Sequence, residues 1–145
     1  MSGRVSPEVR GAVLDLLAAV KYAKDDEDAA RFEACWAKDA CLDITSSGNP
    51  IPPVKGREAI MAFYHNVWKS GGHGKEGSRE THVAEHPDML LQSDGRIMAR
   101  HAVSFFFAEA GEPRLRGFGT FEDKIILEDG AWRIAHRRSA LVRRK

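Results

Sequence analysis

At 145 residues the chain has the length of one domain, and its formal net charge of +1, from 22 Lys and Arg against 21 Asp and Glu, creates no overall field to draw in nucleic acid. Hydrophobic residues at 43% and charged residues at 30% describe an ordinary globule, and no apolar run reaches the roughly 18 residues needed to cross a bilayer. The opening MSGRVSPEVR has neither the apolar core nor the small-residue cleavage site of a secretory signal, so the expected location is cytoplasmic.

Ser6, Pro7 and Glu8 read as a helix start, because Ser caps free amides, Pro loses no hydrogen bond at the first position and Glu suits the positive end. Val9, Val13, Leu16, Leu17 and Val20 then recur at helical spacing to about Lys24. The run Asp25, Asp26, Glu27, Asp28 interrupts the pattern, and Asp28 is placed to cap a second helix whose inner face includes Ala29, Phe32, Cys35 and Trp36.

Residues 39–45 alternate as a short strand, ended by Ser46, Ser47, Gly48, Asn49 and Pro50; Pro52 and Pro53 exclude a central strand there. After Gly56, the positions Ile60, Phe63, Tyr64, Val67 and Trp68 give a third, amphipathic helix that stops at Gly71 and Gly72. The glycine-rich segment 70–78 is a flexible loop, either a plain connection or a lid.

Four strands follow, over 81–92, 96–108, 115–127 and 132–140, with turns at Ser93-Asp94-Gly95, at 109–113 and at Glu128-Asp129-Gly130. Short turns imply antiparallel neighbours. Three helices followed by long strands make an α+β domain, residues 1–145, with helices covering one side of the sheet. On the second of these strands Ile97, Ala99, His101, Val103, Phe105 and Phe107 share a face. The opposite face also carries bulk, which fits either more core or a second subunit, and the expectation is a homo-oligomer, dimer or trimer. Gly117 and Gly119 share a face with Phe121 and mark either a bulge or a cleared pocket wall.

Asp25 by itself reads as a capping acid and His82 as a strand histidine. Cys35 and Cys41 make no disulfide framework or metal-type pair and read as small buried hydrophobes. His65, His73, His86, His101 and His136 lack ligand spacing, so no metal or other cofactor is expected. Arg137, Arg138, Arg143, Arg144 and Lys145 form a basic end that reads as solvated and frayed, with Arg137 on a surface acid in preference to a substrate carboxylate.

The order of these elements, together with FEACWAKDA at 32–40, GREAI at 56–60, THVAEH at 81–86 and DGAWRIAHRR at 129–138, resembles the SnoaL-like branch of the nuclear transport factor 2-like superfamily over nearly the whole chain. That superfamily includes scytalone dehydratase, ketosteroid isomerase, bile-acid dehydratase, polyketide cyclases and the small subunits of ring-hydroxylating dioxygenases. The resemblance implies a cone: a curved, antiparallel-rich sheet wrapped around a pocket that three helices close. It also implies that Asp25 pairs with His82 as an acid-base couple. Tyr22, Tyr64, Trp68, His101, Phe105, Phe107, Gly119 and Phe121 are then candidates for contact with a hydrophobic, polycyclic or aromatic small molecule. Two departures stand out. Lys24 occupies the position where dehydratases often carry Tyr, and their second pocket His corresponds to a place near Phe107, with His101 a few residues earlier. The function implied is that of a cofactor-independent lyase or isomerase. The alternatives are a binding module without turnover and the small subunit of a ring-hydroxylating dioxygenase.

Overall fold

A computed structural model describes residues 3–70 and 80–144, Glu109 by its backbone alone. Residues 71–79, which hold His73 and most of the loop read as connection or lid, lie outside that description, as does Lys145.

Helix α1 spans Pro7–Asp26, and the Ser6 hydroxyl accepts a hydrogen bond from the Val9 amide at 3.2 Å. It buries Val13, Leu16, Leu17, Val20, Ala23 and Asp25. The helix runs past Lys24 and ends where Glu27 adopts the left-handed conformation, φ 57°. Asp28 then caps α2, Ala29–Ala34, accepting from the Arg31 amide at 3.1 Å. Cys35 and Trp36, expected on the inner face of α2, instead close that short helix and open strand β1, Trp36–Ser46; both remain buried. Helix α3, Arg57–Ser70, buries Ile60 and Trp68 and half-buries Phe63, Tyr64 and Val67 on the predicted face, and it also buries Met61, which the spacing did not include.

The remaining strands are β2 Asn49–Pro50, β3 Val54–Lys55, β4 Thr81–Ala84, β5 Asp88–Leu91, β6 Ile97–Glu109, β7 Glu112–Glu128 and β8 Ala131–Arg143. Their order is β2-β1-β8-β7-β6-β4, with β3 also on β1 and β5 also on β6. Among the described residues every strand pairing is antiparallel except β1 with β8. The expected strand over 81–92 is divided at residues 85–87, where Pro87 has no amide to give to a ladder. The hairpins β6–β7 and β7–β8 turn on Ala110-Gly111 and Asp129-Gly130, all four at positive φ, which matches the strand twist. The result is the α+β cone: a curved sheet with α1, α2 and α3 over its concave face.

Strand β8 continues through Arg143, which pairs with Gly117, so Arg137, Arg138 and Arg143 of the basic end lie in strand and not in a frayed tail. The two glycines of β7 serve close backbone approach. A Cβ on Gly119 would lie 2.0 Å from the Ala140 carbonyl oxygen, and one on Gly117 would meet the Val142 carbonyl oxygen at 2.5 Å and the Phe105 ring at 2.7 Å. Next to them the β6–β7 register shifts between Phe105 and Phe106, leaving Arg116 as the extra residue of a bulge.

Gly119→Ala therefore forces β8 to move, and urea unfolding should register a loss of about 1–3 kcal/mol. Gly11→Ala on the exposed face of α1, where a Cβ meets nothing within 4 Å, should gain about 0.5–1 kcal/mol in the same assay.

Candidate functional site

Asp25 sits in the last turn of α1, where the negative end of the helix dipole opposes a carboxylate. Its position is maintained from across the fold. Asp25 Oδ2 accepts the His82 backbone amide at 2.8 Å, and Oδ1 lies 2.6 Å from His82 Nδ1. Both residues are buried. An ionised Asp25 requires the hydrogen on Nδ1, which leaves Nε2 with a lone pair. Two more contacts hold His82: Lys21 Nζ donates to its backbone carbonyl at 3.1 Å, and the Phe105 ring backs the imidazole at 5.1 Å between centroids.

Burial alone would raise the Asp25 carboxyl, yet the hydrogen bonds from His82 outweigh it and hold the group below its ordinary range. Burial lowers His82, aided by the Lys24 charge, and the Asp25 interactions only partly restore it. At neutral pH the pair is thus a carboxylate and a neutral imidazole. On the far side of the ring, Nε2 lies 3.7 Å from Glu80 Oε1. Glu80 is itself buried and meets Lys24 Nζ at 3.6 Å and Arg116 at 3.4 Å. Desolvation brings the Lys24 ammonium below its usual value, against the pull of Glu80 and Asp25.

A second polar group lies deeper. Arg137 holds Asp123 through two hydrogen bonds of 2.7 and 2.8 Å, and His101 Nε2 approaches Asp123 Oδ2 at 3.4 Å. All three are buried, so the surface role expected for Arg137 is replaced by a buried ion pair. The guanidinium also lies over the Phe121 ring, 4.4 Å from its centroid. Asp123 was open to discovery by parity, being a charge two residues from the inward Phe121 and Ile125. Arg137 was hidden by a bulge at Ala135, which resets the alternation of β8.

Both polar groups border one cavity. Leu17 and Val20 from α1, with Phe32, Val103 and Phe121, form its apolar wall; Lys24, Tyr64, His82, His101 and Arg137 supply the polar atoms. Its volume is about 40 Å³, room for a few water molecules at about 10–15 Å³ each by the same measure. Leu17, Lys21, Ala84 and His101 also wall a second space of about 270 Å³, which opens between α1 and the β4–β5 break beside Glu85, His86 and Pro87. The small inner chamber thus adjoins a larger vestibule.

Of the residues expected at the site, Asp25 and His82 come together, and Tyr64, His101 and Phe121 line the chamber. The others stand elsewhere. Tyr22 is half exposed with Lys21 Nζ over its ring, so it faces solvent. Trp68 packs on Phe32 and donates its indole N–H to the Lys24 carbonyl at 3.0 Å, bracing the corner. Phe105 stands behind His82, Phe107 lies under Arg116, and Gly119 meets β8 backbone. Glu80 and Lys21 were not singled out from the sequence, and nothing in their local pattern marks them.

The model of the SnoaL-like domain family matches residues 6–138. No curated protein sequence matches the chain. Among solved structures, Aln2 from a Streptomyces species superposes with a TM-score of 0.78 at 19% identity, over 97% of this chain and 94% of that one. ActVI-ORFA from Streptomyces coelicolor gives 0.74 at 20% identity, over 92% and 97%. A candidate beta subunit of an aromatic-ring-hydroxylating dioxygenase from Novosphingobium aromaticivorans gives 0.79 at 15% identity, over 98% and 94%. At such identities the likeness establishes the fold.

The Asp123–Arg137 pair can be tested apart from any activity. Asp123→Ala leaves a buried guanidinium uncompensated and should cost about 3–5 kcal/mol by chemical denaturation. Asp123→Leu combined with Arg137→Met should recover most of that loss; equal damage in single and double variants would show that the ion pair is not the cause.

Proposed function

Because the chain belongs to the SnoaL-like domain family, with the nuclear transport factor 2-like fold, we propose that it is a cofactor-independent lyase or isomerase acting on a hydrophobic aromatic or cyclic carbonyl compound. The observation that carries this reading is the buried Asp25–His82 pair, whose 2.6 Å contact leaves a lone pair on Nε2 of an imidazole that lines a chamber with apolar walls and a polar base. In this reading Nε2 removes a proton from the carbon next to the carbonyl. The imidazolium so formed lies between Asp25 and Glu80, both carboxylates.

The negative charge that develops on the substrate oxygen needs donors. Tyr64, whose phenol burial raises and so keeps protonated, Lys24 and Arg137 are the candidates around the chamber. A lowered Lys24 is also the better proton donor, and handing its proton to a departing hydroxyl completes an elimination. Return of the proton from His82 to a different carbon gives isomerisation instead. The chamber admits only the reacting edge of a ring, and the body of the substrate occupies the vestibule; the two spaces just reach the lower end of the about 300–1,000 Å³ usual for ligand pockets. One or two rings fit this shape better than an extended polycycle.

A second reading, association with other subunits, draws on the convex face of the sheet. Val83, Ser104, Phe118 and Val142 are register partners in a row across β4, β6, β7 and β8, and the three apolar members are each about half exposed. We propose that this row meets a second copy of the chain, which requires no loss of the concave pocket. Light scattering should give a dimer or higher mass for the native protein, and Phe118→Lys should reduce it. A monomeric native protein removes this proposal, and co-purification of a large oxygenase subunit would favour the dioxygenase role.

For the chemistry, cyclic ketones bearing a β-hydroxyl can be followed by proton NMR in D2O for exchange at the acidic carbon and for elimination. His82→Gln should slow turnover by about 10²–10⁴-fold, measured below its melting temperature, which falls because Asp25 loses its imidazole partner. The base must be neutral, and its pKa is lowered, so activity falls with acidification only below the ordinary His value of about 6.5. Asp25→Asn removes the carboxylate that raises His82, so the acid limb should move lower still while the rate drops. Tight binding of these ketones without exchange or turnover would support the binding-module reading, and full rates in both variants would remove His82 and Asp25 from the mechanism.

A further inference from the structure

On the convex face, away from the chamber, the parallel pairing of β1 and β8 brings together three side chains of metal-ligand type. Cys41 is the register partner of His136, and Asp43 follows two residues along β1 on the same face. The neighbours that alternate with them, Leu42 and Arg137, are buried on the concave side. The ligand atoms of Cys41, Asp43 and His136 all lie within 4.8 Å of one another, and His136 Nε2 is 2.5 Å from Asp43 Oδ2.

We propose that Cys41, Asp43 and His136 form a binding site for a divalent transition ion, zinc above all. One sulfur, one imidazole nitrogen and one carboxylate oxygen suit a borderline-soft ion that accepts tetrahedral coordination. Closing the gaps to bonds of about 2.0–2.3 Å requires side-chain rotation only, because strand register already fixes the three Cβ positions. The ion takes the place of the hydrogen shared between Nε2 and Oδ2, which moves to Nδ1 as the ring changes tautomer, and the thiol proton passes to solvent as the Zn–S bond forms. Oxidation states do not change.

Charge balance fits a dication, since the thiolate and carboxylate supply two negative charges. The cationic register partners, Lys55 opposite Cys41, Lys124 opposite His136 and Arg138 opposite Asp43, work against it, and Arg138 is drawn off toward Glu122, 3.9 Å away. Asp43 and His136 are each about one-third exposed or less by side chain, 36% and 26%, so an ion can enter and water can fill the fourth position. Neither the pocket nor Asp25 is involved. The bound ion would clamp β1 to β8, which pair in parallel.

The test uses tag-free, reduced full-length protein titrated with cobalt(II), whose thiolate bond gives a near-ultraviolet charge-transfer band. One equivalent should produce that band, and zinc should abolish it by competition. Cys41→Ala should lose the band, His136→Ala and Asp43→Asn should weaken binding by about tenfold or more, and His86→Asn should leave it unchanged. Zinc should also raise the melting temperature of the native protein but not of Cys41→Ala. A native protein without the band, or a band that survives in Cys41→Ala, overturns the site and leaves His136–Asp43 as a plain surface pair.

Discussion

The carboxylate of Asp25 takes two N–H groups from a residue far along the chain, and most of the concave face depends on that junction. It lies at the end of a helix whose dipole disfavours it, so it is stable there only because the His82 amide and ring reach it. The same contacts fix the start of β4 against α1 and select the tautomer of His82. Trp68 adds a brace by donating to the Lys24 carbonyl, and Lys21 adds another through the His82 carbonyl. Corner, strand and imidazole are therefore set together.

Behind that junction the interior carries an unusual amount of charge for a small chamber. Asp123 and Arg137 neutralise one another through two hydrogen bonds, while Glu80 is shared by Lys24, His82 and Arg116. Buried charges of this kind persist when paired and hydrogen-bonded, and they make the chamber polar at its base and apolar along its walls. A flat molecule entering from the vestibule would meet hydrocarbon along α1 and ionised or ionisable groups at the end. Shape and charge thus both suit a small molecule with an apolar body and one polar edge.

The two faces of the sheet divide the work. Inward residues of β6 to β8 build the chamber, and outward residues leave an apolar row and, on β1 and β8, the Cys41–Asp43–His136 group. Alternation makes this separation possible, because neighbours such as His136 and Arg137 point to opposite environments. A change on one face need not disturb the other.

Local rules determined the three helices with their Ser6 and Asp28 caps, the hairpin turns, the inward face of β6 and the α+β class, because capping, turn chemistry and periodicity act over a few residues. The order of motifs pointed to the family and to Asp25 with His82, whose side chains the fold brings within 2.6 Å. Tertiary structure decided what depends on contacts between distant segments. The bulge at Ala135 turned Arg137 inward, and close approach of β8 required Gly119. Packing placed Tyr22 in solvent and Trp68 in the corner, made Glu80 a partner of His82, and brought Cys41 beside His136 across a parallel pairing that no spacing in the chain encodes.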